Sequence, residues 1–176
     1  MLAVAVIAIL AAVAVPAWMK QSSQSKARSE VSAVFAELSA KEEQYMAENS
    51  AWVPTGTPGA QYSAGPCPAS PNAQGSADST PCIQSGQPWY NLRVSVPTQY
   101  LYCSYTITTA DATVWPPALP SELSWVQLPT LTQSPTINWF FLEAHCDMDG
   151  DGDPTHDSYY YYSSFDTRIQ ATGEGT

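Results

Sequence analysis

Positive charge is scarce in this chain. Its 176 residues include six Lys or Arg and sixteen Asp or Glu, which gives a formal net charge of −10 and a pI near 4.3. Charged residues make up only 12% of the total, well below the usual share in globular proteins. Because phosphate binding needs a basic face, nucleic acid is not expected as a primary ligand. The polar but mostly uncharged composition suits an exported protein.

Catalytic sequence motifs are also missing. The chain contains no G-x-S-x-G, P-loop or HExxH pattern and no credible catalytic triad. Each of these patterns brings a nucleophile, a phosphate cradle or a metal ligand pair to one place. We therefore expect that the protein is not an enzyme.

Cysteine is present four times but never in a CxxC pair, which disfavours a zinc site or a redox motif. An even number of cysteines behind an apolar start predicts two disulfides formed in an oxidising compartment, and three pairings are open. We favour Cys67–Cys82, which closes a loop, and Cys103–Cys146, which joins two predicted strands. Free buried thiols are the alternative.

Charge is entirely absent from residues 1–19, which read MLAVAVIAILAAVAVPAWM. A helix of this length, at ~1.5 Å per residue, approaches the thickness of a bilayer core. So apolar a stretch must be kept out of water: it lies in lipid, is removed as a signal peptide, or packs in the core of an assembly. Pro16 lacks a backbone donor, so we expect a kink or local melting over residues 12–16.

Glycine and proline are missing from residues 17–50, which favours one helix from Met1 to about Asn49. Residues 20–50 form its amphipathic half, since apolar side chains recur there at intervals of three and four. These side chains are Ala27, Val31, Val34, Phe35, Leu38, Tyr45 and Met46. The charges expected on the opposite, solvated face include Glu30, Glu37, Lys41 and Glu42. Such a helix exceeds the usual globular length several-fold, so we expect it to leave the domain it packs against.

Residues 51–176 are predicted to form a globular head. Residues 51–88 are rich in Pro, Gly, Ser and Thr and predict an irregular loop, whereas residues 89–176 predict a sheet with an acidic loop at 147–157. The predicted strands are 92–96 and 101–107, paired as a hairpin, followed by 137–146 and 158–165. A proline-rich excursion covers 111–135.

These elements predict an α+β fold, a long N-terminal helix packed on a four-stranded antiparallel sheet. The run of tyrosines at 159–162 fits a strand packed on both faces better than an exposed stacking or sugar-binding surface.

Aspartates alternate along the acidic loop in the order D-x-D-x-D-G, the first half of a calcium loop. The candidate ligands are Asp147, Asp149, Asp151, Asp153 and Asp157. Position twelve is Ser158 in place of glutamate, so we expect a modest affinity for Ca²⁺; a solvated acidic turn is the alternative. His145 and His156 flank the loop, and exposed or locally hydrogen-bonded rings are favoured over transition-metal ligands.

The apolar start resembles the N-terminal helix of bacterial type IV pilins and of the pseudopilins of type II secretion. The matching residues are Val6, Ile7, Ile9, Leu10, Ala11, Ala12, Ala14, Val15 and Pro16. Family members begin with a basic leader, a cleavage site and a glutamate at the fifth mature residue. Aligned on Pro16, Met1 falls a few residues after that start, so we expect a truncated sequence, a trimmed start or a misplaced start codon.

The resemblance implies a helix that is held in the inner membrane and then extracted into a filament core by an assembly machinery. The residues it assigns to that core are Ile7, Leu10, Ala11, Ala12, Ala14 and Pro16. It implies self-association and a final location at the cell surface, where such filaments serve adhesion and motility. Related pseudopilins also bind calcium near the end of the chain.

Three functions stay open at this point. The first is the structural subunit of a type IV pilus-like filament, with a major pseudopilin of type II secretion as its close variant. The second is a membrane-anchored or tip adhesin that binds through loops 51–88 and 111–135. The third is a calcium-stabilised secreted domain, released after cleavage of residues 1–14.

Overall fold

One long helix and an antiparallel sheet make up the fold, which confirms the α+β prediction. The computed structural model describes residues 2–53, 62–68, 76–110, 112, 125–126, 137–148 and 157–172. It describes the backbone alone for residues 2–21, 23 and 62–66.

Helix α1 spans Leu2–Asn49 and ends where the sequence predicted. The backbone is helical through Pro16, so the local melting expected over residues 12–16 is wrong, and the kink stays a prediction. One proline removes a single hydrogen bond from the ladder, and the flanking turns keep theirs. At the other end, Ser50 has a φ of 57° and its N–H donates to the Met46 carbonyl at 2.8 Å. Among the residues whose side chains the structure describes, no helix is long and apolar enough to cross a membrane.

Within the described residues, the main sheet has five strands, whereas the sequence predicted four. The strands are β1 Tyr62–Cys67, β4 Cys103–Ala110, β5 Trp139–Cys146, β6 Ser158–Ser163 and β7 Asp166–Thr172. They pair antiparallel in the order β1-β4-β5-β6-β7. A separate ribbon pairs β2 Ala77–Asp78 with β3 Tyr100–Leu101. A 3₁₀ turn at Thr80–Ile83 and the short helix α2 at Pro88–Asn91 lie between them.

The predicted strand at 92–96 is wrong. The backbone N–H of Leu92 donates to Pro88 at 3.0 Å, and that of Val94 donates to Trp89 at 3.0 Å. These amides turn back onto α2 and so cannot join a sheet ladder. Leu92 and Val94 are nevertheless buried. The alternating pattern therefore indicated which side chains are buried but not the conformation of the backbone.

Strand β1 comes from the segment predicted as irregular loop. Its sequence, YSAGPC, lacks the usual strand signals, and its pairing with β4 shifts register between Ala64 and Cys67. Proline is tolerated there because β1 lies at the edge of the sheet.

The inner face of the sheet packs against α1 and forms the main core. Tyr105, Ile107, Phe140, Leu142 and Tyr160 are each at most 1% exposed there. The apolar stripe of α1 completes this core, and its fully buried members are Ala27, Val31, Val34, Phe35 and Leu38.

The outer face of the sheet carries a second, aromatic cluster. Trp139 and Phe141 stack with ring centroids 5.7 Å apart, and Tyr161 lies 5.5 Å from Phe141. Val126 and Trp125, from the proline-rich excursion, pack onto this cluster. Strand β6 therefore has both faces packed, as predicted from the run of tyrosines.

Candidate functional site

The buried stripe of α1 matches the size of the sheet it covers. Ala27 to Glu42 spans ~23 Å of helix, and the longest strands, of eight residues, span ~27 Å. The whole of α1 has 48 residues, which corresponds to ~72 Å. The sheet is therefore too small to cover α1 over its full length.

Glu30 joins α1 to the start of β4. Its Oε1 accepts hydrogen bonds from the backbone N–H of Cys103 at 3.0 Å and from the Tyr105 hydroxyl at 2.9 Å. Its Oε2 accepts one from the N–H of Tyr102 at 2.8 Å. Tyr102 is the residue that separates β3 from β4, so a side chain of the helix takes the place of a strand partner there. Burial raises the pKa of Glu30, and the three donors oppose that rise.

Glu42 lies fully inside the protein near the end of α1. Its Oε2 accepts the backbone N–H of Val53 at 3.1 Å, and its Oε1 makes no hydrogen bond with any described residue. Burial raises its pKa to about 8, because the charged carboxylate loses its hydration in the core. At neutral pH, Glu42 is therefore mostly protonated.

The expectation that these glutamates lie on a solvated face is wrong. Glu42 is 0% exposed and Glu30 is part-buried. Glu37 is also part-buried and accepts the backbone N–H of Ser95 at 3.0 Å. The reason is that the segments after α1, after α2 and at the start of β4 have backbone amides to satisfy, and α1 supplies the acceptors. A signal was available for Glu42, which lies four residues after Leu38 and so falls in register with the buried stripe.

The acidic loop connects β5 to β6, and the structure describes only its two ends. Asp147 follows β5 and is 8% exposed, and Asp157 precedes β6 and is 5% exposed. Cys146 at the end of β5 pairs with Ser158 at the start of β6. Asp147 and Asp157 are the next residues on either side, so both lie where the acidic loop leaves the sheet. Asp149, Asp151 and Asp153 lie outside the described residues. Within the described ranges, no group of three or more His, Cys, Asp or Glu forms a metal site.

His145 is held by neighbours at the base of the acidic loop. Its Nε2 bonds with the Asp157 carboxylate, and its ring stacks on Tyr159 with centroids 4.6 Å apart. This agrees with the expectation of a locally hydrogen-bonded ring. His156 lies outside the described residues.

Two disulfides anchor the loops of the head. Cys67 bonds to Cys82, and Cys103 bonds to Cys146, the two pairs that the sequence favoured. Cys103 and Cys146 also face each other across β4 and β5. This crosslink lies one residue from Asp147, so it holds one end of the acidic loop.

The residues assigned to an assembly core lie in the part of α1 for which only the backbone is described. Ile7, Leu10, Ala11, Ala12, Ala14 and Pro16 share one continuous helix with the buried stripe. Their side-chain contacts lie outside the description.

No family model, curated protein or solved structure matches this chain.

Proposed function

We propose that the chain is the structural subunit of an extracellular type IV pilus-like filament, assembled through its N-terminal helix. The main support for this proposal is the length of α1, which is greater than the sheet can cover. Residues 1–19 are uncharged and apolar all round, so they need a partner outside their own head. Other copies of the same helix supply that partner in a filament, and lipid supplies it before assembly. The subunit thus resides in the bacterial inner membrane before extraction.

The way α1 is attached to the head supports this proposal. A filament subunit has to transmit load from its head to its stem. Apolar packing joins the helix to the sheet, and the ring centroids of Phe35 and Tyr105 are 6.0 Å apart. Hydrogen bonds from Cys103 to the Glu30 carboxylate and from Val53 to the Glu42 carboxyl group add further attachments to the head. A helix held this way can be moved and packed as one body with its head.

Electron microscopy of material sheared from producing cells tests the proposal. We expect abundant helical filaments whose only major component is this chain. Short filaments confined to the periplasm, together with loss of protein secretion on deletion, would favour the pseudopilin instead. One copy at the tip of another filament would identify an adhesin, and a chain released into the medium would contradict all three assignments.

Calcium binding by the acidic loop is a second proposal, about the stability of the head. Oxygen ligands from aspartates suit Ca²⁺, and Asp147 and Asp157 bring two buried carboxyl groups to the neck of the loop. Such a cation would offset their repulsion and hold the β5–β6 connection. Pseudopilins, which the start of this chain resembles, also bind calcium near the end of the chain.

Replacing Asp149 and Asp151 together with alanine tests this second proposal. We expect the substitution to lower the melting temperature by a few degrees when Ca²⁺ is present, because the metal stabilises the folded state by mass action. With a chelator, the variant and the parent should melt together. A difference of equal size with and without chelator would contradict a metal role.

A further inference from the structure

A polar groove lies between the end of α1 and the turn that follows α2. It has a volume of about 300 Å³. Lys41, Gln44 and Asn49 line it from α1, and Asn91 and Arg93 line it from the turn. Two of the six cationic side chains of the protein therefore share one groove.

The charged groups of Lys41 and Arg93 have no partner within the part of the chain that the structure describes. Among the described residues, neither the Lys41 ammonium nor the Arg93 guanidinium has an ion pair or a side-chain hydrogen bond. Arg168 differs, since it holds Asp166 through three side-chain bonds of 2.7–3.2 Å. The one acidic group lining the groove, Glu48, already accepts a hydrogen bond from Gln44 at 2.9 Å.

The end of α1 does not use these cations either. Helix C-termini expose carbonyl groups that attract positive charge. Here the Asn49 side chain donates to the Tyr45 carbonyl at 3.0 Å, and the Ser50 N–H covers the Met46 carbonyl at 2.8 Å. Both cations are thus left available to a ligand.

The backbone conformation of Arg93 also supports a binding role for the groove. Arg93 has a φ of 55°, a left-handed conformation that follows α2 and that usually takes glycine. A non-glycine residue there costs free energy, and such residues concentrate at functional sites. The position is filled by a long cationic residue that lines the groove and not by the glycine that this backbone conformation favours.

We infer that this groove binds a carboxylate of a second copy of the chain; this inference rests on the proposed function. Each copy carries a net charge of −10, so packing copies together brings like charges into contact and is opposed by self-repulsion. A carboxylate docked between Lys41 and Arg93, with the Asn91 amide beside it, turns that repulsion into a charge-assisted contact.

Zero-length carbodiimide coupling tests the contact, because it joins an ammonium to a carboxylate that touches it. Cells grown first in ¹⁴N medium and then in ¹⁵N medium, before filament assembly is induced, carry both labelled forms of the chain and supply both filaments and membranes. We expect mixed-isotope peptide pairs in which Lys41 is joined to an Asp or Glu, and a several-fold lower yield in high salt. Lys26, which lines a different groove, is the internal control and should give few such pairs.

Variants separate a binding role from a structural one. Arg93→Gly relieves the left-handed strain, so the melting temperature should hold or rise while Lys41 pairs between copies fall several-fold. Lys41→Gln should shorten filaments, and Lys26→Gln should not. Once the partner carboxylate is mapped, exchanging the two charges should restore assembly.

The outcomes distinguish this inference from the proposed function. Normal filaments without mixed-isotope Lys41 pairs would overturn the groove contact and leave the filament subunit standing. Lys41 pairs in membranes without any filaments would support the contact and overturn the filament. Absence of both filaments and pairs would overturn both.

Discussion

The two halves of α1 meet different partners although they form one helix. From Ala27 to Glu42, the apolar stripe is covered by the sheet, and glutamates of the same helix hold the backbone of the head. From residue 1 to 19, the sequence is apolar on every side and carries no charge. A one-sided apolar stripe is therefore enough to dock a head, whereas an all-round apolar surface needs several neighbours at once.

The largest effect is expected from a charge in the first half. Leu10→Arg should abolish filaments, because a charge in an apolar helix core is strongly unfavourable. The melting of the head should stay unchanged, since the second half holds it. Ala40→Arg, on an exposed position of the same helix, is the matched control and should still assemble. Filaments of normal length from Leu10→Arg, counted by electron microscopy, would break the comparison.

A cavity made in the docked second half of α1 should lower the stability of the head without changing residues 1–19. Phe35 is 1% exposed and contacts Tyr105 and Tyr162. Phe35→Ala should lower the free energy of unfolding by about 3–5 kcal/mol, measured by urea denaturation of the full chain in detergent. Phe35→Leu should recover most of it. A loss below ~1 kcal/mol would mean that the helix is not docked as described.

Glu42 should make stability depend on pH. Its pKa in the folded protein is about 8 and its ordinary value is 4.5, so the folded state binds more protons between these values. Stability should be highest below the ordinary value, fall by up to ~1.4 kcal/mol per pH unit as pH rises, and level off above the folded value. Glu42→Gln should flatten this slope and raise stability at the alkaline end. A variant that keeps the parent's slope would refute the buried protonated carboxyl.

Replacing Glu30 should lower the free energy of unfolding more than replacing Glu37, because Glu30 accepts hydrogen bonds from more donors. Glu30→Gln presents an amide to donors from Tyr102 and Cys103 and should lower the free energy of unfolding by about 1–3 kcal/mol. Glu37→Gln affects one peripheral bond, to Ser95, and should lower it by less than ~0.5 kcal/mol. Equal losses in the same urea titration would show that Glu30 is no more than a surface charge.

Periodicity predicted the elements that bury apolar side chains. The stripe from Ala27 to Leu38 identified the docked face of α1, and the apolar runs in β5 and β6 identified two of the three interior strands of the described sheet. It failed for β1, whose Gly-Pro sequence reads as loop, because edge pairing with β4 was decided by the partner strand. It also failed at 92–96, where local turn bonds competed with strand pairing.

The carboxylate contacts were beyond a pattern of polar and apolar residues. A helical wheel could place Glu42 in register with the buried stripe, but it could not show that Glu30 and Glu42 accept the amides of Tyr102 and Val53, which lie 72 and 11 residues away along the chain. For the acidic loop, the sequence supplied the candidate ligands, and the structure added the burial of Asp147 and Asp157 at its ends.

Helical reconstruction of the assembled material by electron cryo-microscopy tests the central claim most directly. We expect residues 1–19 of many copies to pack together along the filament axis, with the sheets outside and with residues 27–42 still docked on their own sheet. A filament whose axis is formed by the heads, or one in which residues 1–19 face solvent, would contradict it.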